Sequence, residues 1–291
     1  MLKTKMQDQS TGKAVGKYIL IGDHVVLYGY EALCLPILDA ETVVELKVAK
    51  SDKMVCEKGI SPKITRALIE DLQTVKGWFK ECKDKNFEIK VKFGVPIGIG
   101  AGMSASWSVA LIRAFLNLVN VEANHVELYE MAQELENRHH GKSSGIDLKT
   151  IIWETPVAVL EGLFNKREIT ELDLTLINTG APTEITKDMV ELVARKVKAN
   201  PEILTEFDHL YKMDVKDPYE FMDEFGKALE RLGVVSKSVC KAFEELREKG
   251  GKVKVSGGGG LHGGSGLCLV YHEDKQVIED WIKSHSFEKI A

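Results

Sequence analysis

The chain has 291 residues, of which 44% are hydrophobic and 29% charged, and its formal net charge is −5. This is the composition of an ordinary globular protein with room for two modest domains. No basic block or aromatic-basic stripe argues for nucleic acid, and apolar runs such as Ala32 to Leu38 are far too short for a bilayer.

The opening stretch MLKTKMQDQSTGK lacks the apolar core of a secretory signal. Cys34, Cys56, Cys82, Cys240 and Cys268 are widely spaced and form no CxxC pair, so neither a zinc ribbon nor a disulfide framework is expected. The expected location is the cytoplasm. Glycine placement is uneven: of 25 glycines, four fall in 12–29, four in 94–102 and nine in 250–266. Three clusters between hydrophobic stretches suggest three tight backbone turns serving one ligand.

In chain order, 17–27 reads as a strand, a tight turn at Gly22-Asp23-His24, and a second strand. Residues 42–50 and 87–93 alternate apolar and polar, as half-buried strands do. Ser61-Pro62 opens a helix running to Cys82. The run 94–102 leads into SASWSVALIRAFLNLV, which predicts a buried helix. Residues 124–139 form an amphipathic helix with Asn124 as its cap. Residues 156–161 and 172–178 read as strands, and Thr179-Gly180-Ala181-Pro182 suits a domain junction. Helices follow at 186–199, 217–232 and 236–249. A strand at 252–256, the third glycine cluster, a strand at 266–271 and a helix at 273–285 complete the chain.

In the second cluster, VPIGIGAGMSAS, Gly98, Gly100 and Gly102 alternate and a helix begins at once. Such a loop brings backbone N–H groups close to an anion, and the helix N-terminus favours negative charge. Phosphate is the natural guest, with a strand-to-helix packing turn as the plain alternative. Met103 breaks a Rossmann pattern, and Glu136 breaks a Walker pattern ahead of Gly141-Lys142-Ser143. The segment ELENRHHGKSSGIDLKT concentrates Glu136, His139, His140, Lys142, Ser143, Ser144 and Asp147. Asp147 suits a general base, and a second carboxylate suits a Mg²⁺ ligand; the alternative is a solvated loop. The adjacent His139 and His140 lack helical zinc spacing. Lys17, at the start of a buried strand, could orient a carboxylate and a phosphate, or simply snorkel. Seven glycines in 257–266 exceed what a hairpin needs and imply close approach of another group.

These segments, in this order, resemble the GHMP kinase superfamily, and within it the mevalonate kinase family. The opening motif resembles Gly16 to His24 followed by Tyr28-Gly29, and the phosphate loop resembles Pro96 to Ala105. The third motif resembles Lys254-Val255-Ser256-Gly257-Gly258-Gly259-Gly260. The most discriminating likeness is His140-Gly141-Lys142-Ser143-Ser144-Gly145-Ile146-Asp147. The resemblance implies an α+β fold with a ribosomal protein S5 domain 2-like part over 1–178 and a ferredoxin-like part over 179–291.

It further implies ATP- and Mg²⁺-dependent phosphorylation of mevalonate's primary hydroxyl for isoprenoid synthesis. Asp147 would take the hydroxyl proton, and Lys17 would hold Asp147 and steady the reacting oxygen. Pro96, Gly98, Gly100, Gly102, Met103, Ser104 and Ala105 would wrap the triphosphate. Ser104 and Glu136 would coordinate Mg²⁺, and His24 with Asp23 would hold the substrate. The third loop would support the phosphate loop. Departures from the family pattern are Val15 for Pro, Asp23 for Glu, Met103 for Ser, Trp107 for Tyr, and Leu261-His262 within the third glycine run. A homodimer is admitted but not required. The rival readings are a kinase for another alcohol (a sugar, homoserine or phosphomevalonate) and a catalytically silent nucleotide- or metabolite-binding paralogue.

Overall fold

The computed structural model describes residues 6–56, 60–140 and 144–291, excepting the side chains at 139 and 140. The first elements are β1 (Gln9–Ile21), a 3-10 turn (Val25–Tyr28), β2 (Ala32–Ala49), β3 (Lys53–Cys56), α1 (Pro62–Trp78) and β4 (Asn86–Lys92). Next come α2 (Met103–Val119), α3 (His125–His140), α4 (Ile146–Trp153), β5 (Val157–Leu160), β6 (Leu163–Lys166) and β7 (Thr175–Asn178). Then α5 (Thr186–Ala199), a 3-10 turn (Pro201–Leu204), α6 (Thr205–Lys212), α7 (Pro218–Leu232) and α8 (Lys237–Glu248) follow. The chain closes with β8 (Lys252–Val255), β9 (Leu267–Tyr271), α9 (Lys275–His285) and β10 (Glu288–Lys289).

Most predicted elements are present within a few residues of the expected bounds, but the strands expected from 17 and from 42 begin earlier, at Gln9 and Ala32. One is different in kind: residues 25–27 are not a strand. Gly22 turns the chain, His24 takes a left-handed φ of 62°, and Val26 N donates to Gly22 O at 3.1 Å. This closes a 3-10 turn and leaves Leu27 exposed. Helix α1 stops at Trp78, short of Cys82, because Phe79 turns to extended backbone and stacks on Phe115 at 5.8 Å. The sequence reading passed over α6, although Phe207, Leu210 and Tyr211 have helical spacing. It also passed over the short strands β3, β6 and β10.

The chain divides into two compact units that interleave in sequence. The first takes the chain up to Lys17, Pro36–Val95 and Gly102–Thr155. The second takes Tyr18–Leu35, Pro96–Ala101 and Pro156–Ala291. This grouping by contact is a different description from the division at 178, which follows a change in segment type.

In the first unit β4 runs antiparallel to the 43–49 part of β2 and parallel to β3. Phe87, Ile89 and Val91 alternate with polar residues and turn inward, as the two-residue period requires. Helix α2 is apolar nearly all round and is buried along most of its length. Its Trp107 donates from Nε1 to buried Asp71 at 3.0 Å, and Phe87 meets Phe115 edge-on at 5.5 Å.

In the second unit four antiparallel strands lie in the order β10-β7-β9-β8. The core joins Phe207, Phe225, Phe243 and Trp281 to Val253, Val255, Cys268 and Val270. Trp281 Nε1 is satisfied by Ala242 O at 2.8 Å. The 32–34 part of β2 pairs with β5, which makes a hairpin with β6. The five cysteines remain thiols; Cys34, Cys82 and Cys268 are buried, and Cys56 and Cys240 are half-buried.

Candidate active site

The candidate residues fall into two groups, one in each unit. In the first unit, Lys17 lies in the second half of β1 rather than at its start, among buried neighbours, and is 4% exposed. Such burial requires a partner. Lys17 Nζ lies 3.1 Å from Asp147 Oδ2, and the Asp147 side chain stays 33% exposed. The carboxylate therefore has one buried cationic neighbour and an open edge. Asp147 occupies the first turn of α4, which Gly145 opens at a left-handed φ of 79°. A carboxylate there is favoured by the helix dipole.

Helix α2 starts behind Gly102 at φ 80°, with no acidic residue in its first turn. A Cβ on Gly102 would fall 2.7 Å from Lys17 Cγ, so glycine is needed for both the turn and the close approach. From this first turn, Ser104 Oγ donates to Glu136 Oε1 at 2.5 Å, and Ser108 Oγ lies 3.5 Å from the same oxygen. Glu136 is buried near the end of α3. Met103 and Ala105 occupy the same first turn.

The hydroxyl–carboxylate pair supplies hard oxygen donors of the kind Mg²⁺ takes alongside phosphate and water. Among the described residues no three His, Cys, Asp or Glu side chains cluster as a metal cage. The donor set thus fits an ion held chiefly by a phosphate-bearing guest. Gly141, Lys142 and Ser143 lie outside the described residues.

The second unit holds Pro96, Gly98 and Gly100, with Gly98 and Gly100 at φ 81° and 84°. Here the third glycine cluster is a well-anchored loop. Leu267 N donates to Ile99 O at 2.7 Å, and a Cβ on Gly266 would lie 2.5 Å from that oxygen. Gly100 rests against the Ser256–Gly257 backbone. Thr179, Gly180, Val234 and Ser236 add hydrogen bonds from neighbouring segments. The interrupting Leu261-His262 is also anchored. Both backbone N–H groups donate to Glu184 Oε2, and His262 Nδ1 lies 2.5 Å from Glu184 Oε1. These bonds, the His262 one first, hold the Glu184 pKa down at about 2.

Asp23 and His24 sit on the turn after β1. Asp23 Oδ2 accepts from buried Lys254 Nζ, and Asp23 Oδ1 accepts from Gly257 N at 2.6 Å. These are the contacts made by the shorter acid that stands in place of Glu. His24 Nε2 lies 3.0 Å from Gly258 O. A carbonyl only accepts, so Nε2 carries the proton and Nδ1 is left as an acceptor. His24 Nδ1 is buried and has no hydrogen-bond partner among the described residues. Burial pushes the His24 pKa below its usual 6.5, opposed by neighbouring Asp23. Lys254 was legible only as part of a motif; KVKV holds two lysines, Lys252 and Lys254, and the local pattern does not distinguish the buried one.

Residues 64–153 match the family model described as GHMP kinases N terminal domain. The mevalonate kinase of Methanocaldococcus jannaschii is 23% identical over 294 residues, covering 91% of this chain and 93% of that one. The crystal structure of L. major mevalonate kinase in complex with R-mevalonate superposes with a TM-score of 0.78 at 20% identity, covering 99% of this chain and 96% of that one. Streptococcus pneumoniae phosphomevalonate kinase, in complex with phosphomevalonate and AMPPNP, gives 0.72 at 17% identity, covering 97% and 98%. The α+β fold is that of GHMP kinases such as mevalonate kinase.

Proposed function

We propose that this chain, with its GHMP kinase fold, transfers the γ-phosphoryl group of ATP to the primary hydroxyl of (R)-mevalonate, giving 5-phosphomevalonate for isoprenoid synthesis. The observation that carries the reading is the pairing of buried Lys17 with half-open Asp147 at 3.1 Å. Asp147 takes the hydroxyl proton on its carboxylate as the oxygen attacks. Lys17 orients that carboxylate and offsets negative charge developing on the oxygen.

ATP supplies the phosphoryl group, and Mg²⁺ neutralises charge on its oxygens when bound. Ser104 and Glu136 would hold the metal ion. The backbone of Pro96, Gly98, Gly100, Gly102, Met103, Ser104 and Ala105 lines the triphosphate. His24 offers Nδ1 to a substrate hydroxyl, and Asp23 holds the turn that presents it. Phosphoryl transfer asks the protein mainly for positioning and charge stabilisation, and this set suits both.

The deciding experiment is an assay of ADP release over a panel of alcohols: (R)-mevalonate, phosphomevalonate, homoserine and sugars. Mevalonate is expected to give the highest kcat/KM. The likeness to a phosphomevalonate kinase makes a phosphorylated acceptor the second reading, and a higher kcat/KM with phosphomevalonate would establish it. ATP binding without ADP release on any acceptor would favour a silent paralogue.

A further inference from the structure

Lys254 stands among the largest fully enclosed side chains, in company that is otherwise aromatic or aliphatic. Its ammonium donates to Asp23 Oδ2, to Ile19 O at 3.1 Å and to Val255 O at 2.6 Å, and lies 5.7 Å from the Phe225 ring centre. Both side chains of the Lys254–Asp23 pair are 0% exposed. A buried ion pair is weak evidence for stability, since an apolar pair of similar volume often folds as well. What an apolar pair cannot do is hold a backbone N–H.

Asp23 does so, through Oδ1 to Gly257 N at 2.6 Å. The next carbonyl along, Gly258 O, receives the His24 Nε2 proton at 3.0 Å. Ser256 Oγ accepts from Ile19 N at 2.8 Å, closing the same ladder. Lys254 thus bears on Asp23, Asp23 on Gly257, and the Gly257–Gly258 segment on the ring of His24.

We propose that the Lys254–Asp23 pair is a positioning device: it fixes the Gly257–Gly258 segment and thereby sets the tautomer and orientation of His24 toward the acceptor. Neither residue is required to touch the reacting atoms. The enzymatic side of this proposal rests on the kinase reading, whereas its structural side stands alone.

The test replaces the pair with apolar residues, Asp23→Leu with Lys254→Met, in the full chain. In the unaltered protein, long-range ¹H–¹⁵N spectra should show His24 as a single Nε2–H tautomer. In the folded double variant, the ring should sample both tautomers. The KM for (R)-mevalonate should rise about tenfold or more while the KM for ATP moves less than about threefold. A single tautomer kept in the folded variant overturns the proposal whatever the kinetics. An unchanged mevalonate KM overturns the link to the acceptor. If near-UV circular dichroism shows that the double variant does not fold, Asp23→Val with Lys254→Leu carries the same two readouts, because it too removes the oxygen that accepts from Gly257 N. Unaltered protein that releases no ADP on any alcohol would sink the kinase reading, while the tautomer comparison would still decide the positioning claim.

Discussion

Asp147 and Lys17 make a pair in which one member is enclosed and the other open. Removing the charge at Asp147 should therefore damage chemistry more than binding. Asp147→Asn is expected to lower kcat by about 10²–10⁴-fold, the usual contribution of a general base. Nucleotide affinity, measured by titration calorimetry, should stay nearly unchanged. An equal loss of both would remove Asp147 from the role of base. His24 makes a prediction in pH. Its pKa is held below the usual 6.5 by burial. The unfolded chain takes up a proton near its ordinary value that the folded chain refuses. His24 thus contributes stability above about pH 6.5, and the contribution is lost as pH falls. Denaturant midpoints should drop between pH 7.5 and 5.5, and His24→Gln should flatten that drop. At this scale the sequence singled out Lys17, Ser104, Glu136 and Asp147, which lie in contact as two pairs, Lys17 with Asp147 and Ser104 with Glu136. It did not reveal that Asp23 faces Lys254, since that pair joins residues 231 positions apart and local patterns carry no such pairing.

The loops differ from ordinary turns in what they approach. Gly102 must serve both as the left-handed entry to α2 and as clearance for the Lys17 stem. Gly102→Ala is expected to cost about 1–3 kcal/mol through backbone strain. It should also lower kcat by displacing Lys17 from Asp147, as steady-state kinetics and chemical denaturation would record together. Undiminished turnover would show that the clearance is dispensable. Helices of a dozen residues or more, and strands with clean alternation, were legible because periodicity accumulates over their length. The 3-10 turn after Gly22 was not, because Val25, Val26 and Leu27 have strand propensity and it is the Gly22 and His24 backbone that turns them aside. Helix α6 spans eight residues, too few for its pattern to stand out, yet its Tyr211 donates to Glu31 O and meets the Tyr30 ring at a tilt, 5.1 Å between centres. The segment after the His24 turn thus rests on an element the sequence reading lacked.

For the molecule as a whole, a guest that binds only the folded chain must stabilise it by mass action. Mg²⁺ with ATP at a hundred times Kd should add about 2.7 kcal/mol. Thermal melts should show an upward shift in Tm with Mg²⁺ and ATP together, and a smaller one when EDTA removes the metal. Equal shifts with and without EDTA would argue against Ser104 and Glu136 as metal ligands. The α+β class was readable through the resemblance of the motifs rather than from the order of strands and helices. The interleaving of the two units was not readable, because β1 and β2 each contribute to both and nothing in their composition changes where one unit ends.

The cysteines give the protein an internal clock. Cys268 lies on β9, directly after the third glycine loop, and burial pushes its thiol up to about 12. Only a thiolate attacks an alkylating reagent, so Cys268 is silent while that strand stays closed. Cys56, half-buried, has readier access to the reagent, whereas burial also pushes the half-buried Cys240 thiol up to about 11. A maleimide or disulfide reagent mixed with the native protein should therefore register a fast phase and, long after it, a slow one. The slow phase reports how often the buried thiols Cys34, Cys82 and Cys268 are uncovered, with no label introduced by mutation.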